Sequence, residues 1–318
     1  MKPDDVIAIL IADIHLSHNP PAARAETQTE WYDYMGESLG ELSELQVKYN
    51  VPVLIAGDIF DKWDSPAELI NFAIDRFPSN VMAIPGQHDL PHHELGEMDR
   101  SAYGTLCRSN VRGFDNLTYP TALCDGWEVV PFPWGVALAS LGEIDEITNS
   151  KTIALAHHCV WSATSGTGYK GAPEGGEWKR VRKSLAGFDV AVFGDNHKAL
   201  TDSHVAVGPR IYNCGFFMPR NVKEKGIQPV AGLLRRDGYI GHHKLQTYKQ
   251  AKWVEIEDEA APEEYDQDMA DMLDKLEGQD DQRIDFREAL ERAIDSGIDL
   301  LEKTKPILLE ALDDGDKR

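Results

Sequence analysis

Five short apolar runs in this chain each lead into a carboxylate, an amide or a histidine. Val6–Ala12 runs into Asp13 and His15, Val51–Ala56 into Gly57-Asp58, and Val81–Pro85 into Gly86-Gln87-His88-Asp89. Thr152–Ala156 runs into His157-His158, and Phe188–Phe193 into Gly194-Asp195-Asn196-His197. Runs of this length, rich in Val and Ile and closed by turn residues, read as buried strands. Open α/β sheets bind their ligands beyond the carboxyl ends of the strands. Five strand ends bearing metal-type side chains can therefore meet at one place, and the chain reads as an α/β protein built around a cation site.

The segments between these strands are helical. From Glu26 to Tyr49 the apolar residues Trp31, Tyr34, Met35, Leu39, Leu42 and Leu45 keep a three-to-four spacing, which marks a helix lying on a sheet. Ser65 is the expected N-cap and Pro66 the first residue of a second helix that reaches Arg76. A third helix is expected over Gly96–Arg108. Shorter strand-like pieces follow at Trp127–Pro131, His204–Val207, Arg210–Asn213, Val230–Leu234 and His242–Thr247. They read as a second sheet, giving a two-sheet sandwich flanked by helices. Ser162–Gly176 is a Gly- and Ser-rich loop. Its formal GxGxxG (Gly166 to Gly171) is no dinucleotide motif, because Pro173 blocks the helix that would have to start directly after it.

Charge is unevenly distributed. The net charge of −22 argues against coating nucleic acid through bulk attraction. Residues 170–252, however, carry 15 basic against 7 acidic side chains, whereas 255–318 carry 23 acidic against 8 basic. The expected division is a catalytic domain over 1–254 and an acidic helical extension over 255–318. In the extension Leu290, Ile294, Ile298 and Leu301 form one stripe of a helix spanning Ile284–Lys303, and Pro306 opens a short last helix. No apolar run approaches the roughly 20 residues that span a bilayer, and the expected location is cytoplasmic. The four cysteines are scattered without a CxxC pair, so neither a zinc ribbon nor a disulfide framework is expected.

Asp13 and His15 are two apart and share one face of a strand end, so carboxylate and imidazole can hold one cation. Asp58 has two oxygens and can bridge two. Oxygen and nitrogen donors without thiolate suit manganese, magnesium, iron or zinc. The ordered set Asp13-x-His15, Gly57-Asp58-x-x-Asp61, Gly86-Gln87-His88-Asp89, His157 and Gly194-Asp195-x-His197 resembles the five motifs of the calcineurin-like metallophosphoesterases. The resemblance spans about Ile9–Gly215 and implies a four-layer αββα two-sheet sandwich with a dinuclear site, manganese being the favoured metal. It further implies one cation on Asp13, His15, Asp58 and His197, and a second on Asp58, Gln87, His157 and Asp195. His88 would protonate the leaving group or steady the phosphate, with Asp89 orienting its imidazole.

Two positions depart from the family. Gln87 stands where Asn is usual, and Asp195 where His is usual, both on the second cation. The pair either re-forms that pocket around a hard ion, weakens it, or leaves Asn196 as the ligand. The Gly57-Asp58-Ile59-Phe60-Asp61 and Gln87-His88-Asp89-Leu90-Pro91 segments resemble the SbcD-like DNA-repair exonuclease branch of phage and bacteria. That resemblance implies a DNA nuclease with an SMC-like (SbcC-like) ATPase partner docked on helices such as Ile284–Leu312, and it is compatible with a homodimer. Lys179, Arg180, Arg182, Lys183 and Arg220 are the expected DNA-backbone contacts. A small-molecule phosphodiesterase or phosphatase, and a non-catalytic DNA-repair scaffold with an altered second site, are the alternatives. His158 is expected to point away from the cations, and His18, His204, His242 and His243 to be structural.

Overall fold

The computed structural model describes residues 5–109, 113–124, 126–144, 147–149, 151–202 and 208–255. The chain opens with strand β1 (Val6–Ile11), helix α1 (Gln28–Tyr49), β2 (Val53–Ala56), α2 (Ala67–Arg76) and β3 (Val81–Ile84). Next come α3 (Ala102–Ser109), β4 (Phe114–Asn116), β5 (Thr121–Cys124), β6 (Trp127–Phe132) and β7 (Lys151–His157). Then follow α4 (Trp178–Ser184), β8 (Val190–Gly194), β9 (Leu200–Asp202), β10 (Arg210–Asn213), β11 (Val230–Arg235) and β12 (Ile240–Lys244). They build two six-stranded sheets, ordered β12-β11-β1-β2-β3-β4 and β5-β6-β7-β8-β10-β9.

Side-chain parity along the strands produces the layers. In β7 and β8, Ile153, Leu155, Val190 and Val192 fill the space between the sheets with Leu10, Leu54 and Trp127. Their neighbours Ala154, Ala156, Ala191 and Phe193 point outward onto Val181 and Leu185 of the α4 region. In β1, Ile9 and Ile11 point to the other outer layer, against Trp31, Met35 and Leu39 of α1. This is the expected four-layer sandwich. The α1 spacing delivers all six of its expected apolar residues to the core. Thr27 starts the helix with a reciprocal cap: its hydroxyl accepts from the Glu30 N–H, and the Glu30 carboxylate accepts from the Thr27 N–H at 2.9 Å.

Three local expectations change. Pro66, not Ser65, is the N-cap of α2, with extended backbone at φ −66 and ψ 155; the Ser65 hydroxyl donates to the Lys62 carbonyl instead. The expected third helix is broken at Ser101, whose Oγ accepts the Gly104 N–H and so restarts the chain as α3 after a 3-10 stretch, Leu95–Arg100. Third, β11 and β12 belong to the first sheet, while the second recruits β7 and β8 alongside β6 and β10. β11 runs antiparallel to β1 and covers its otherwise open edge. Both of its faces are apolar, with Ala231 and Leu233 toward α1 and Leu234 between the sheets, so sequence alone could not choose its sheet. The expected His204–Val207 strand, the 255–318 extension apart from Glu255, and the Ile284–Lys303 helix lie outside the described residues.

Candidate metal centre

β1, β2 and β3 are mutually parallel, as are β7 and β8, so the five strands end at one rim. The loops leaving them are tied together: the Asp13 N–H donates to the Gly57 carbonyl at 3.1 Å and the His15 N–H to the Asp58 carbonyl at 3.0 Å. His157 sits opposite Gly194 in the β7–β8 register, which places the last two motifs side by side.

Asp13, His15, Asp58 and His157 are almost wholly buried. The His15 and His197 Nε2 atoms approach to 3.2 Å, and Asp58 Oδ2 lies 3.7 Å from His15 Nε2 and 3.4 Å from His157 Nε2. Ligand atoms of Asp13, His15 and His197 all lie within 4.8 Å of one another, as do those of Asp13, Asp58 and His157. Gln87 and Asp195 complete the second group. The Gln87 amide donates to Asp195 Oδ1 at 2.9 Å, and its Oε1 lies 3.0 Å from His157 Nε2. The Gln87 amide thus links the two, turning its NH₂ to the Asp195 carboxylate and its oxygen to the His157 imidazole. Asn196 points elsewhere, donating to the Val160 and Thr167 carbonyls.

This donor set fits divalent cations on its own chemistry. Two carboxylates and three imidazoles converge, all but His197 almost wholly buried, and the buried Nδ1 of His15 has no hydrogen-bond partner. Burial pushes the Asp13 carboxyl up to about 7, against the pull of His197 and His157. Burial would lower His157, but Asp58 and Asp13 outweigh it and push the imidazole up to about 10. Protons here offset the charge that a cation would offset, and bound metal would displace them. The apparent affinity for a divalent cation is therefore expected to rise with pH by about tenfold per unit for each proton released, more steeply below about 7, where Asp13 and His157 both lose one, and less steeply from there to about 10, where His157 alone does. Calorimetric Mn²⁺ titrations in two buffers of different ionisation enthalpy check this. A buffer-independent heat and a flat pH profile would refute it.

The site is held in a conformation that most residues avoid. Asp13, His15, Asp58 and Asp195 all have positive φ, at 51°, 49°, 53° and 84°. Such backbone costs on the order of 1–3 kcal/mol per residue and persists where the surroundings impose it. His92 and His93, just past the third motif, share the feature at 53° and 60°. Both are exposed, near Trp63 and Trp134 respectively, with ring centroids 6.3 Å apart in each pair.

His88 lies at the rim with its ring centroid 4.9 Å from that of His15. Its Nδ1 is 2.9 Å from the Asp61 carbonyl, which can only accept, so Nδ1 carries the proton and Nε2 is left for the reaction. Asp89 makes no such contact. Its buried carboxylate accepts the N–H groups of Ile59, Phe60 and Gly86, and the orienting partner of His88 is the Asp61 backbone. The Asp61 side chain pairs with Arg220 at 2.7 Å and lies 3.7 Å from His15 Nδ1.

Of the five basic residues expected to contact substrate, Arg220 alone is brought to this cluster. Lys179, Arg180, Arg182 and Lys183 are on α4, in the outer layer. Arg182 is engaged with Asp202 and the Pro209 carbonyl, and Arg180 with Glu174. His158 is turned away, with Nε2 on the Val136 carbonyl, and His18 and His242 bond Tyr32 and Thr201. The sequence reading missed Glu224. Its carboxylate lies 2.9 Å from His197 Nδ1, and burial, which would raise its pKa, is outweighed by the bonds it receives from His197 and the Arg220 N–H. Asn221 followed three residues later by Glu224 is a capping-box pattern, so the turn was legible but its target was not.

A sequence profile described as calcineurin-like phosphoesterase matches residues 8–199, a span that includes every expected metal ligand but neither Arg220 nor Glu224. No curated protein matches the chain. Among solved structures, a dimetal phosphatase from Danio rerio is 10% identical with a TM-score of 0.46, over 77% of this chain and 100% of that one. A putative 5′-nucleotidase from Staphylococcus aureus is 11% identical with a TM-score of 0.41, over 84% of this chain and 58% of that one. The sulfate thiohydrolase SoxB of Thermus thermophilus is 10% identical with a TM-score of 0.41, over 76% and 57%. The chain thus covers less than two thirds of the last two proteins.

Proposed function

This chain belongs to the calcineurin-like phosphoesterase family, hydrolases of phosphoester bonds, and from that premise we propose that it cleaves phosphodiesters of DNA as an SbcD-like nuclease subunit. The observation that carries the reading is Arg220, a guanidinium fixed on Asp61 beside the buried donor cluster, where it can meet a phosphodiester anion. The second and third motifs support it by resembling the nuclease branch. Exposed Lys179, Arg180 and Lys183 would track the backbone further out.

Two divalent cations, manganese being the first to test, would be held by Asp13, His15, Asp58 and His197 on one side and by Asp58, Gln87, His157 and Asp195 on the other. When bound they supply a water of lowered pKa and a clamp on the phosphoester oxygens. The chain's own residues do the rest. Arg220 binds and orients the phosphate. His88, with Nδ1–H fixed on a carbonyl, donates to the leaving oxygen through Nε2, which requires the imidazolium form. An SMC-like ATPase would dock on 284–312, outside the described residues; among the described residues no helix is long and apolar enough to cross a membrane.

A small-molecule substrate is the second reading. The 162–176 loop is fastened to the Asp195–Lys198 segment through Asn196 to Thr167 and Lys198 to Gly168, so it lies beside the site and could close over a compact ester. Protein loaded with Mn²⁺, Mg²⁺ or Zn²⁺ is to be assayed on duplex DNA, single-stranded DNA and bis-p-nitrophenyl phosphate. Cleavage of DNA is expected. Turnover of the small ester alone would overturn the DNA reading.

The role of His88 has its own signature. A nitrophenolate departs without a proton, whereas the alkoxide of DNA needs one. His88→Gln should therefore slow DNA cleavage by roughly 100-fold and bis-p-nitrophenyl phosphate hydrolysis by less than about tenfold. Equal losses on both substrates would remove the proton-donor role and leave His88 as a phosphate ligand.

A further inference from the structure

We infer that Glu224 is a positioning residue for the cation ligand His197, and that the loop 219–224 sets the geometry of both imidazoles on that cation. Glu224 is 4% exposed. Every group facing its carboxylate is a donor: the Arg220 N–H at 2.6 Å, the Asn221 N–H at 3.3 Å, the Asn221 amide at 2.6 Å and His197 Nδ1 at 2.9 Å. A carboxylate accepts and does not donate, so His197 carries its proton on Nδ1. Its Nε2 lone pair then points toward His15 Nε2, 3.2 Å away, as two imidazoles sharing one ion require.

The same loop reaches His15 from the other side, because Arg220 holds Asp61, whose carboxylate faces the unpartnered His15 Nδ1. The loop is itself anchored. Arg24, buried against the rings of Trp31, Tyr34 and Trp253, donates to the Pro219 carbonyl at 2.5 Å. The segment lies beyond residues 8–199, the stretch that matches the family. The inference rests on the cation site and not on DNA as substrate, so failure of the DNA reading leaves it standing.

The test uses the full chain. In the metal-free protein, ¹⁵N shifts of the His197 ring are expected to show the proton on Nδ1. Glu224→Gln offers that nitrogen an amide, which permits the opposite tautomer, and should weaken Mn²⁺ binding by roughly 10–100-fold while saturating Mn²⁺ restores most of kcat. Val222→Ala, at an exposed side chain of the same loop, leaves the Glu224 hydrogen bonds in place and should keep Mn²⁺ affinity within about threefold. A neutral parent His197 ring protonated on Nε2 and not on Nδ1, a Glu224→Gln variant with parental Mn²⁺ affinity, or a Val222→Ala variant as defective as Glu224→Gln would each overturn the inference. The first measurement needs no variant and so survives any folding defect.

Discussion

Asp58→Ala is expected to abolish phosphoester cleavage, by roughly a thousand-fold or more, in a protein that still folds. Asp58 approaches imidazoles of both donor groups, and Asp13 is the other carboxylate common to the two. One Asp58 oxygen lies between His15 and His157, and the other accepts the His88 N–H at 3.0 Å. Deleting the carboxylate would therefore take away the proposed bridging ligand and loosen the turn that carries His88. It also leaves His157 without its principal counter-charge, and breaking a buried pair costs on the order of 3–5 kcal/mol. Asp58→Asn separates the two effects. It keeps an oxygen for the His88 N–H but has no second anionic oxygen to bridge with, so it should lose cleavage almost as completely with less loss of stability. Circular dichroism shows whether each variant is folded, and hydrolysis at saturating Mn²⁺ measures the chemistry. Folded Asp58→Ala protein that still turns over would sink the two-cation reading.

Much of this site was legible because its chemistry is written at strand ends. The apolar runs fix five parallel strands, parallel strands end at one rim, and the residues that follow each run become neighbours. Glycine placement was equally readable. Gly57 precedes Asp58 with φ +90, and a Cβ there would strike the His157 ring; a Cβ at Gly86 would fall on the Asp58 carboxylate. Sequence proximity misled where the backbone turns sharply. Asp89 follows His88 in a 3-10 turn and points into the core rather than at its neighbour. Glu224 and the seat of Arg220 on Asp61 were out of reach for another reason, although Arg220 itself was expected to meet substrate. They arrive on a loop after the last motif, and neither a spacing nor a periodicity connects them to His197 or Asp61. The positive φ of Asp13, His15, Asp58 and Asp195 was also invisible, since Asp and His carry no signal that their tertiary surroundings force them there.

Asp89→Asn is expected to unfold the protein far more readily than its conservative chemistry suggests. The Asp89 carboxylate is inaccessible to solvent. One oxygen accepts from Ile59 N and Phe60 N at 3.1 and 2.9 Å, and the other from Gly86 N at 3.0 Å. It thereby clamps the loop after β2, which carries Asp58, to the loop after β3, which carries Gln87 and His88. An asparagine must turn its NH₂ toward at least one of these N–H donors. That leaves two buried donors unpaired, each at about 1–3 kcal/mol, so up to roughly 2–6 kcal/mol is lost, less the burial cost of the anion that the neutral amide no longer carries. Urea unfolding should be compared at pH 8, above the value of about 7 to which burial and the Asp58 charge push this carboxyl, so that the anion is the reference. Cation affinity should fall as well, because the clamp fixes the turn at Asp58. The two aspartates then separate cleanly: Asp58→Asn loses chemistry before stability, and Asp89→Asn loses stability before chemistry. An Asp89→Asn protein as resistant to urea as its parent, and defective only in cleavage, would instead assign Asp89 the role its position beside His88 suggested, that of orienting the proton donor.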